Sequence, residues 1–250
     1  MASWSTKRRF GYFLAFVVLA VFAVGLPGFL FFYKAPTCAD GRQNGSERGI
    51  DCGGTCVKLC PADFVAPRAL WSYSASVTPG VYNALAYAEN PNQSVYASAV
   101  GYTFRLYDSA GLLIAEKKGK TLVPTGQKFA IFEGGVRTGQ RIPLKTTFEF
   151  GEVSDWKLGK SVPNPRIISI DLEQSETPTA EVKVSNDSTD LTLSSLDAFI
   201  IIYDSADNRM AFSKTRIDRI APRQTETFYF TWPSAFPRPA VRKEVLFVAH

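Results

Sequence analysis

The chain has 250 residues, of which 46% are hydrophobic, and its 28 basic and 23 acidic residues give a formal net charge of +5. Its one histidine is His250, the last residue, which excludes histidine-centred triads and most catalytic zinc sites. No GxSxG, Walker or GxGxxG pattern occurs either, so we expect a protein that is not an enzyme and has no cofactor. Three of the positive charges lie together at residues 7–9, and the small excess elsewhere predicts no nucleic-acid partner.

The first predicted element is a transmembrane helix over residues 10–33, a stretch without a charged side chain. At ~1.5 Å per residue this stretch covers ~36 Å, whereas the hydrocarbon core of a bilayer is ~30 Å thick. Lys7, Arg8 and Arg9 precede it and only Lys34 follows, which predicts a cytoplasmic tail at residues 1–9 and an extracytoplasmic remainder. The alternative is a signal peptide cleaved near "AVG" at residues 23–25, although the apolar run continues beyond the usual length.

All four cysteines follow in a cysteine-rich module, residues 34–62: Cys38, Cys52, Cys56 and Cys60. On the exported side of a membrane, clustered cysteines form disulfides by default, and this polar segment is too short to bury a core. We therefore expect two disulfides, with three connectivities open. A zinc site is the weaker interpretation, because its ligands usually come in CxxC pairs, and the same missing CxxC argues against a thiol oxidoreductase.

The cysteine-rich module also carries hard oxygen ligands that suggest a calcium site. Asp40, Asn44, Glu47 and Asp51 lie close together in the sequence, although their spacing differs from that of an EF-hand loop. The alternative is that these side chains cap turns and keep a loop solvated. Calcium is therefore the minority prediction for this module.

The pattern CxDGxxNxxExxxDCGGxC, which runs from Cys38 to Cys56, resembles a short cysteine module of bacterial surface proteins. In those proteins the module often lies beside a membrane anchor or between β-domains. The resemblance implies a location in the cell envelope and no biochemical activity. Cys60 follows at a wider spacing than the pattern has.

The remainder of the chain repeats once. "YAENPNQSVYASAVGYTFRLYDSAG" at residues 87–111 aligns without a gap with "KVSNDSTDLTLSSLDAFIIIYDSAD" at residues 183–207. This alignment places Asn90 on Asn186 and Asp108 on Asp204. Short alternating or apolar runs between turn residues predict strands in both copies. We therefore predict an all-β fold with two tandem antiparallel β-sandwich domains, residues 63–153 and 165–250, joined by a linker at residues 154–164.

The first copy contains "FRLYD" at residues 104–108, and this motif resembles the one for which FxLYD domains are named. A loop "LVPTGQ" at residues 122–127 follows, as in that family, and "IAPRQT" is its counterpart at residues 220–225. The second copy departs from the motif, with Ile200 and Ile202 in place of Phe and Leu. The resemblance implies exported, immunoglobulin-like domains in bacteria, in which the motif is structural and its aspartate begins a turn.

Charge in the second copy is divided along the sequence. Residues 171–204 are rich in acids and residues 209–243 are rich in bases. If the two sets lie on different faces, they could steer a charged partner or a second copy; if they interleave, they only keep the surface soluble.

Together these features favour a membrane-anchored structural or protein-interaction module of the cell envelope, which contacts another envelope protein or itself. The alternative is an accessory or sensory subunit that recognises a ligand within a larger membrane complex. Either function places a single-pass protein in the cell membrane.

Overall fold

The computed structural model describes residues 4–153, 155–159 and 162–249. It consists of two compact units, Met1–Cys60 and Pro61–His250. His250 itself lies outside the described residues, as do Ser154, Lys160 and Ser161 of the predicted linker.

The first unit begins with one long helix, α1 (Trp4–Phe32). It starts before the predicted residue 10 because no glycine or proline interrupts residues 4–10, and Arg8 lies over the ring of Trp4 one turn earlier. Residues Arg8–Phe31 are long and apolar enough to cross a membrane. Pro27 is accommodated near the end of the helix, where a lost backbone hydrogen bond disturbs little.

The second unit is built from antiparallel strands, with a short 3-10 turn at Pro61–Asp63. Its described strands are β1 (Arg68–Thr78), β2 (Val81–Glu89), β3 (Val95–Tyr107), β4 (Leu113–Val123), β5 (Lys128–Arg137), β6 (Lys145–Phe150), β7 (Lys157–Leu158), β8 (Arg166–Glu173), β9 (Thr179–Ser185), β10 (Leu193–Tyr203), β11 (Arg209–Ile220), β12 (Thr225–Thr231) and β13 (Arg242–Ala249). The predicted β-structure is therefore confirmed.

The second unit has two halves, the first with strands β1–β7 and the second with strands β8–β13. The strand order of the first half recurs in the second. β1-β2-β5 and β4-β3-β6 form two sheets, and β8-β9-β12 and β11-β10-β13 form their counterparts. β7 is the exception, because it pairs with the start of β3 and has no counterpart. It lies within the predicted linker, where Trp156 is buried and its ring approaches that of Phe64.

Each half buries one core between its two sheets. In the second half, inward residues of β9 and β12 meet those of β10, β11 and β13 in a single apolar cluster. Ile200, Ile202 and Phe230 are among its fully buried members. In the first half, Phe104, Phe129 and Phe148 are buried, and the rings of Phe129 and Phe150, which lie on different sheets, approach to 6.3 Å. Burial of such side chains stabilises each by about 1.5–3 kcal/mol.

The two halves pack on each other through the outer faces of the sheets that contain β2 and β10. Phe212 of β11 meets Tyr73 and Phe132 edge-on, with ring centroids 6.3 and 5.9 Å away. Ile201 lies beside Phe212 in the register of the sheet and is fully buried. The central strands β2 and β10 are therefore buried on both faces, which is why their sequences read as continuous apolar runs.

One buried asparagine holds the same place in each half. Asn90 Nδ2 donates to the carbonyls of Val95 and Pro124, at 2.9 and 2.7 Å. Asn186 Nδ2 donates to those of Leu191 and Ile220, at 2.8 and 3.0 Å. The asparagine aligned in the repeat thus ties two connections at one end of each half: β2–β3 to β4–β5 in the first, and β9–β10 to β11–β12 in the second.

The aligned aspartates begin equivalent turns at the other end. Asp108 Oδ1 accepts from the backbone N–H groups of Ala110 and Leu112, both at 3.0 Å. Asp204 Oδ1 accepts likewise from Ala206 and Asn208, and the Asn208 side chain lowers the pKa of the Asp204 carboxyl. The predicted role of this aspartate as a turn former is confirmed.

We expect Asn90→Ala and Asn186→Ala each to lower the free energy of unfolding by about 2–3 kcal/mol, because each leaves buried carbonyls without a donor. Urea unfolding of the full chain followed by tryptophan fluorescence would measure the loss. Asn164→Ala is the matched control, since its exposed side chain makes one contact of 3.2 Å to Gln127. Equal stability of the two buried variants and this control would contradict the role assigned to Asn90 and Asn186.

Candidate functional site

The cysteine-rich module contains the two predicted disulfides, Cys38–Cys56 and Cys52–Cys60. Their Cα atoms are 5.6 and 5.0 Å apart. The connectivity left open by the sequence is thus a crossed one, in which each loop contains one end of the other. With sequence separations of 18 and 8, closing these loops stabilises the segment by about 3 kcal/mol each.

The turn between Cys52 and Cys56 leaves no room for a side chain at Gly54. Gly54 has a φ of +62°, and a Cβ built there would lie 1.8 Å from the carbonyl oxygen of Ser46. No side chain can occupy that space unless the backbone moves. Gly41, at a φ of +72°, has open space around it.

Three of the four predicted calcium ligands, Asp40, Glu47 and Asp51, accept hydrogen bonds from donors of the same module. Both carboxylate oxygens of Asp51 accept from the Gly41 N–H at 3.0 Å, and Glu47 Oε2 accepts from the Asn44 N–H at 3.1 Å. Asp40 Oδ2 accepts from Asn44 Nδ2 at 2.8 Å, and this bond lowers the pKa of Asp40. The side chains therefore cap turns, as the alternative interpretation had it.

These oxygens do not gather around one point. The ligand atoms of Asp40, Glu47 and Asp51 are not all within 4.8 Å of one another, whereas calcium takes roughly six to eight oxygens. Asn44 Oδ1 is the one buried oxygen of this group without a partner, on a side chain that is only half-buried. Calcium stays a prediction that this geometry does not support.

Over the described residues, one group of three potential metal ligands comes together: Cys38, Glu47 and Cys56. Its two sulfur atoms are bonded to each other, so neither is a thiolate that could hold a metal. The group therefore offers a single carboxylate.

A polar network lies at the junction of the two halves of the second unit. Tyr87 Oη donates to Glu244 Oε1 at 2.6 Å and Tyr203 Oη donates to Glu244 Oε2 at 3.0 Å. Arg242 lies over the ring of Tyr203, 3.4 Å from its centroid, and donates to Glu244 at 3.2 Å. Burial, followed by the charge of Glu244, raises the pKa of Tyr203 to about 12.

Two further contacts extend this junction. Trp71 stacks on Tyr87 with centroids 5.2 Å apart, and the guanidinium carbon of Arg209 lies over the Trp71 ring, 4.6 Å from its centroid. Aromatic and cation–π pairs of this kind contribute about 0.5–1.5 kcal/mol each. Tyrosine, tryptophan and arginine thus join the halves where aliphatic packing ends.

An ion pair lies at the same junction, where Nζ of the exposed Lys214 is 2.7 Å from Oδ2 of the buried Asp197. Asp197 is 6% exposed and lines a cavity of about 280 Å³ together with Tyr102, Lys120 and Phe132. Its position makes Asp197 part of the contact between halves.

The sequence predicted none of these junction residues as functional. Two apolar runs in the sequence could have indicated the junction: "AFIIIYD" at residues 198–204 and "ALAYA" at residues 84–88. Neither run alternates with polar residues, which indicates burial on both faces and hence a partner for the outer face of each sheet.

The charges of the second half are partly interleaved. Five acids pair with bases in the described chain: Asp187 with Arg166, Asp197 with Lys214, Asp204 with Arg238, and both Asp207 and Glu244 with Arg242. Asp171, Glu173 and Glu181 form no ion pair in the described chain, and they share the outer face of the sheet β8-β9-β12. The interleaving alternative holds for most of the chain, and an acidic surface remains at β8 and β9.

No model of a known protein family matches this chain, and no curated protein matches it.

We expect Gly54→Ala to leave free thiols, because its Cβ would overlap the Ser46 carbonyl and misplace Cys52 and Cys56. The measurement is thiol titration of unreduced, denatured protein. Gly41→Ala is the control, since it adds strain of about 1 kcal/mol without a clash. A Gly54→Ala protein that is free of thiols would show that the module tolerates a side chain there.

We expect stability of the second unit to fall at alkaline pH. Tyr203 has a raised pKa, so its contribution is fully present below about pH 10, the usual value, and is lost as the pH rises through about 12. Burial and Glu244 raise the pKa of Tyr87 as well. An ultraviolet titration should show that Glu244→Gln makes both phenols ionise at lower pH, while Glu226→Gln does not. Identical titrations of the two variants would contradict the network.

Proposed function

We propose that this chain is a membrane-anchored, extracytoplasmic structural or protein-interaction module of the cell envelope, without catalytic activity. The observation that carries the proposal is the order of its parts: an apolar helix long enough to span a bilayer, a cross-linked polar segment, and a β-structure of 190 residues in one compact unit. Such an arrangement suits a tether, a stiff spacer and a displayed surface.

The sequence supports the same proposal. The cysteine-rich module resembles those of bacterial surface proteins, and "FRLYD" at residues 104–108 resembles the motif of FxLYD domains. We interpret the two halves as tandem immunoglobulin-like sandwiches on the basis of this resemblance and of the recurring strand order. Disulfides favour an oxidising compartment, which agrees with export.

One observation favours the alternative of a ligand-recognising accessory or sensory subunit. A groove of about 600 Å³ in the first half is lined by Phe64, Phe148, Phe150 and Trp156, with Glu149 and Glu152 beside the rings. Its size and its apolar lining with few polar groups are typical of small-molecule sites. The alternative predicts that a small ligand, rather than a protein, protects this groove from modification of Trp156.

Crosslinking in intact cells tests the proposed function. With a photoreactive residue in place of exposed Ile168, a membrane-bound chain should yield a discrete crosslinked protein. A reporter fused after residue 250 and active only outside the cytoplasm should work, and the chain should retain residues 1–33. A soluble chain that begins near residue 26, or a chain that captures no protein, would overturn the proposal.

A further inference from the structure

The two halves differ at one pair of corresponding edge strands. In the first half, β1 is covered at its free edge by β6: Ser72 Oγ donates to the Thr146 carbonyl at 2.9 Å, and Thr146 Oγ1 donates to Ser74 Oγ at 2.8 Å. In the second half, β8 pairs with β9 alone, and no described hydrogen bond joins it to β13. Its outer N–H and C=O groups therefore lack a strand partner in the described chain.

Only part of β8 is regular enough to accept another strand. The register with β9 shifts between Ile167 and Ser169, and such a bulge disrupts pairing. Beyond it the ladder runs without a break from Ser169 to Glu173. This stretch carries neither proline nor lysine, the residues that usually protect an exposed edge.

The side chains of this stretch alternate in chemistry. Ile170 and Leu172 point inward and are half-buried against the core, together with Val245 of β13. Asp171 and Glu173 point outward and are exposed. A strand added to β8 would place its own alternate residues beside these two rows, because side chains in a sheet repeat every two residues.

The outward row has an excess of negative charge. Asp171 lies directly opposite Glu181 on β9, a like-charged cross-strand pair that is unfavourable. The charge of Glu181 also raises the pKa of Tyr229, its neighbour on β12. A groove of about 630 Å³ runs along these residues, and among the described residues that line it Lys243 is the one base.

We propose that the edge Ser169–Glu173 of β8 binds an extended segment of a partner protein in which basic and aliphatic residues alternate. The backbone of β8 supplies the hydrogen bonds, the carboxylates of Asp171, Glu173 and Glu181 attract the basic side chains, and Ile170 and Leu172 receive the aliphatic ones. This inference rests on the proposed function, for which it names the contact surface and the chemistry of the partner.

The probe is a short labelled peptide of alternating lysine and valine, added to the full chain in detergent and followed by fluorescence anisotropy. It should bind, and binding should weaken as salt shortens the Debye length from ~30 to ~8 Å. N-methylation of the peptide at the N–H groups that face β8 should abolish binding. A peptide of alternating glutamate and valine should not bind.

Two matched variants locate the contact. Asp171→Asn with Glu181→Gln should weaken binding about tenfold, the equivalent of ~1.4 kcal/mol, while Asp218→Asn with Glu226→Gln removes the same charge from exposed sites on β11 and β12 and should leave binding unchanged. Both changes are to exposed side chains, and an unaltered circular dichroism spectrum confirms the fold. Equal binding by both variants, or by the N-methylated peptide, would overturn the assignment.

Two results separate this inference from the proposed function. If the Asp171→Asn, Glu181→Gln chain still captures its partner in cells at the wild-type level, the contact lies elsewhere and only the assignment to β8 fails. If the peptide binds as described but no protein is captured in cells, the proposed function fails instead. A chain that dimerises through β8 and excludes the peptide would also overturn the assignment.

Discussion

The packing of β2 against β10 through the outer faces of their sheets is the constraint on which the second unit depends. A sheet with one apolar face needs one partner, and both of these sheets have two. The inner faces close the core of each half and the outer faces close the junction, where Phe212 meets Tyr73 and Phe132. If a solvated linker held the two halves apart, Ile201 and Tyr87 would be exposed to water. Burial of these outer-face side chains therefore favours one compact unit.

The repeat conserves backbone satisfaction more faithfully than it conserves side-chain packing. Asn90 and Asn186 donate to equivalent buried carbonyls in the two halves, and Asp108 and Asp204 accept from the backbone of equivalent turns. By contrast, Glu244 and Tyr203 lie only at the junction, where each half presents a different face. This division has a physical reason, because a buried unpaired carbonyl is costly in any context, whereas an outer face needs only to complement whatever it meets.

Local patterns in the sequence predicted what local physics determines. The apolar run that ends at Tyr33 indicated the helix, the clustered cysteines indicated disulfides, and alternation indicated the strands. The pairing of Cys38 with Cys56 depends on how the turn at Gly54 folds. The spacing of the cysteines alone does not determine that turn, so the connectivity could not be predicted. Composition likewise placed Asp40 and Asp51 near each other, but backbone N–H groups at Gly41 and Arg42 satisfy their oxygens first. The start of α1 at Trp4 was missed because charge marked the membrane boundary rather than the helix boundary.

The acidic row on β8 has two consequences that point to the same kind of partner. An exposed edge invites pairing with its own copy, and antiparallel pairing of two β8 strands would place Asp171 and Glu173 against the same carboxylates. Repulsion between these carboxylates disfavours pairing of β8 with a second β8 but leaves the edge open. In the first half, by contrast, the contact of Ser72 with Thr146 covers the edge of β1. Lys214 of β11 is held by Asp197 at the junction, so this base does not reach the edge of β8. What remains compatible with the edge is a foreign strand that brings positive charge on one side and aliphatic bulk on the other.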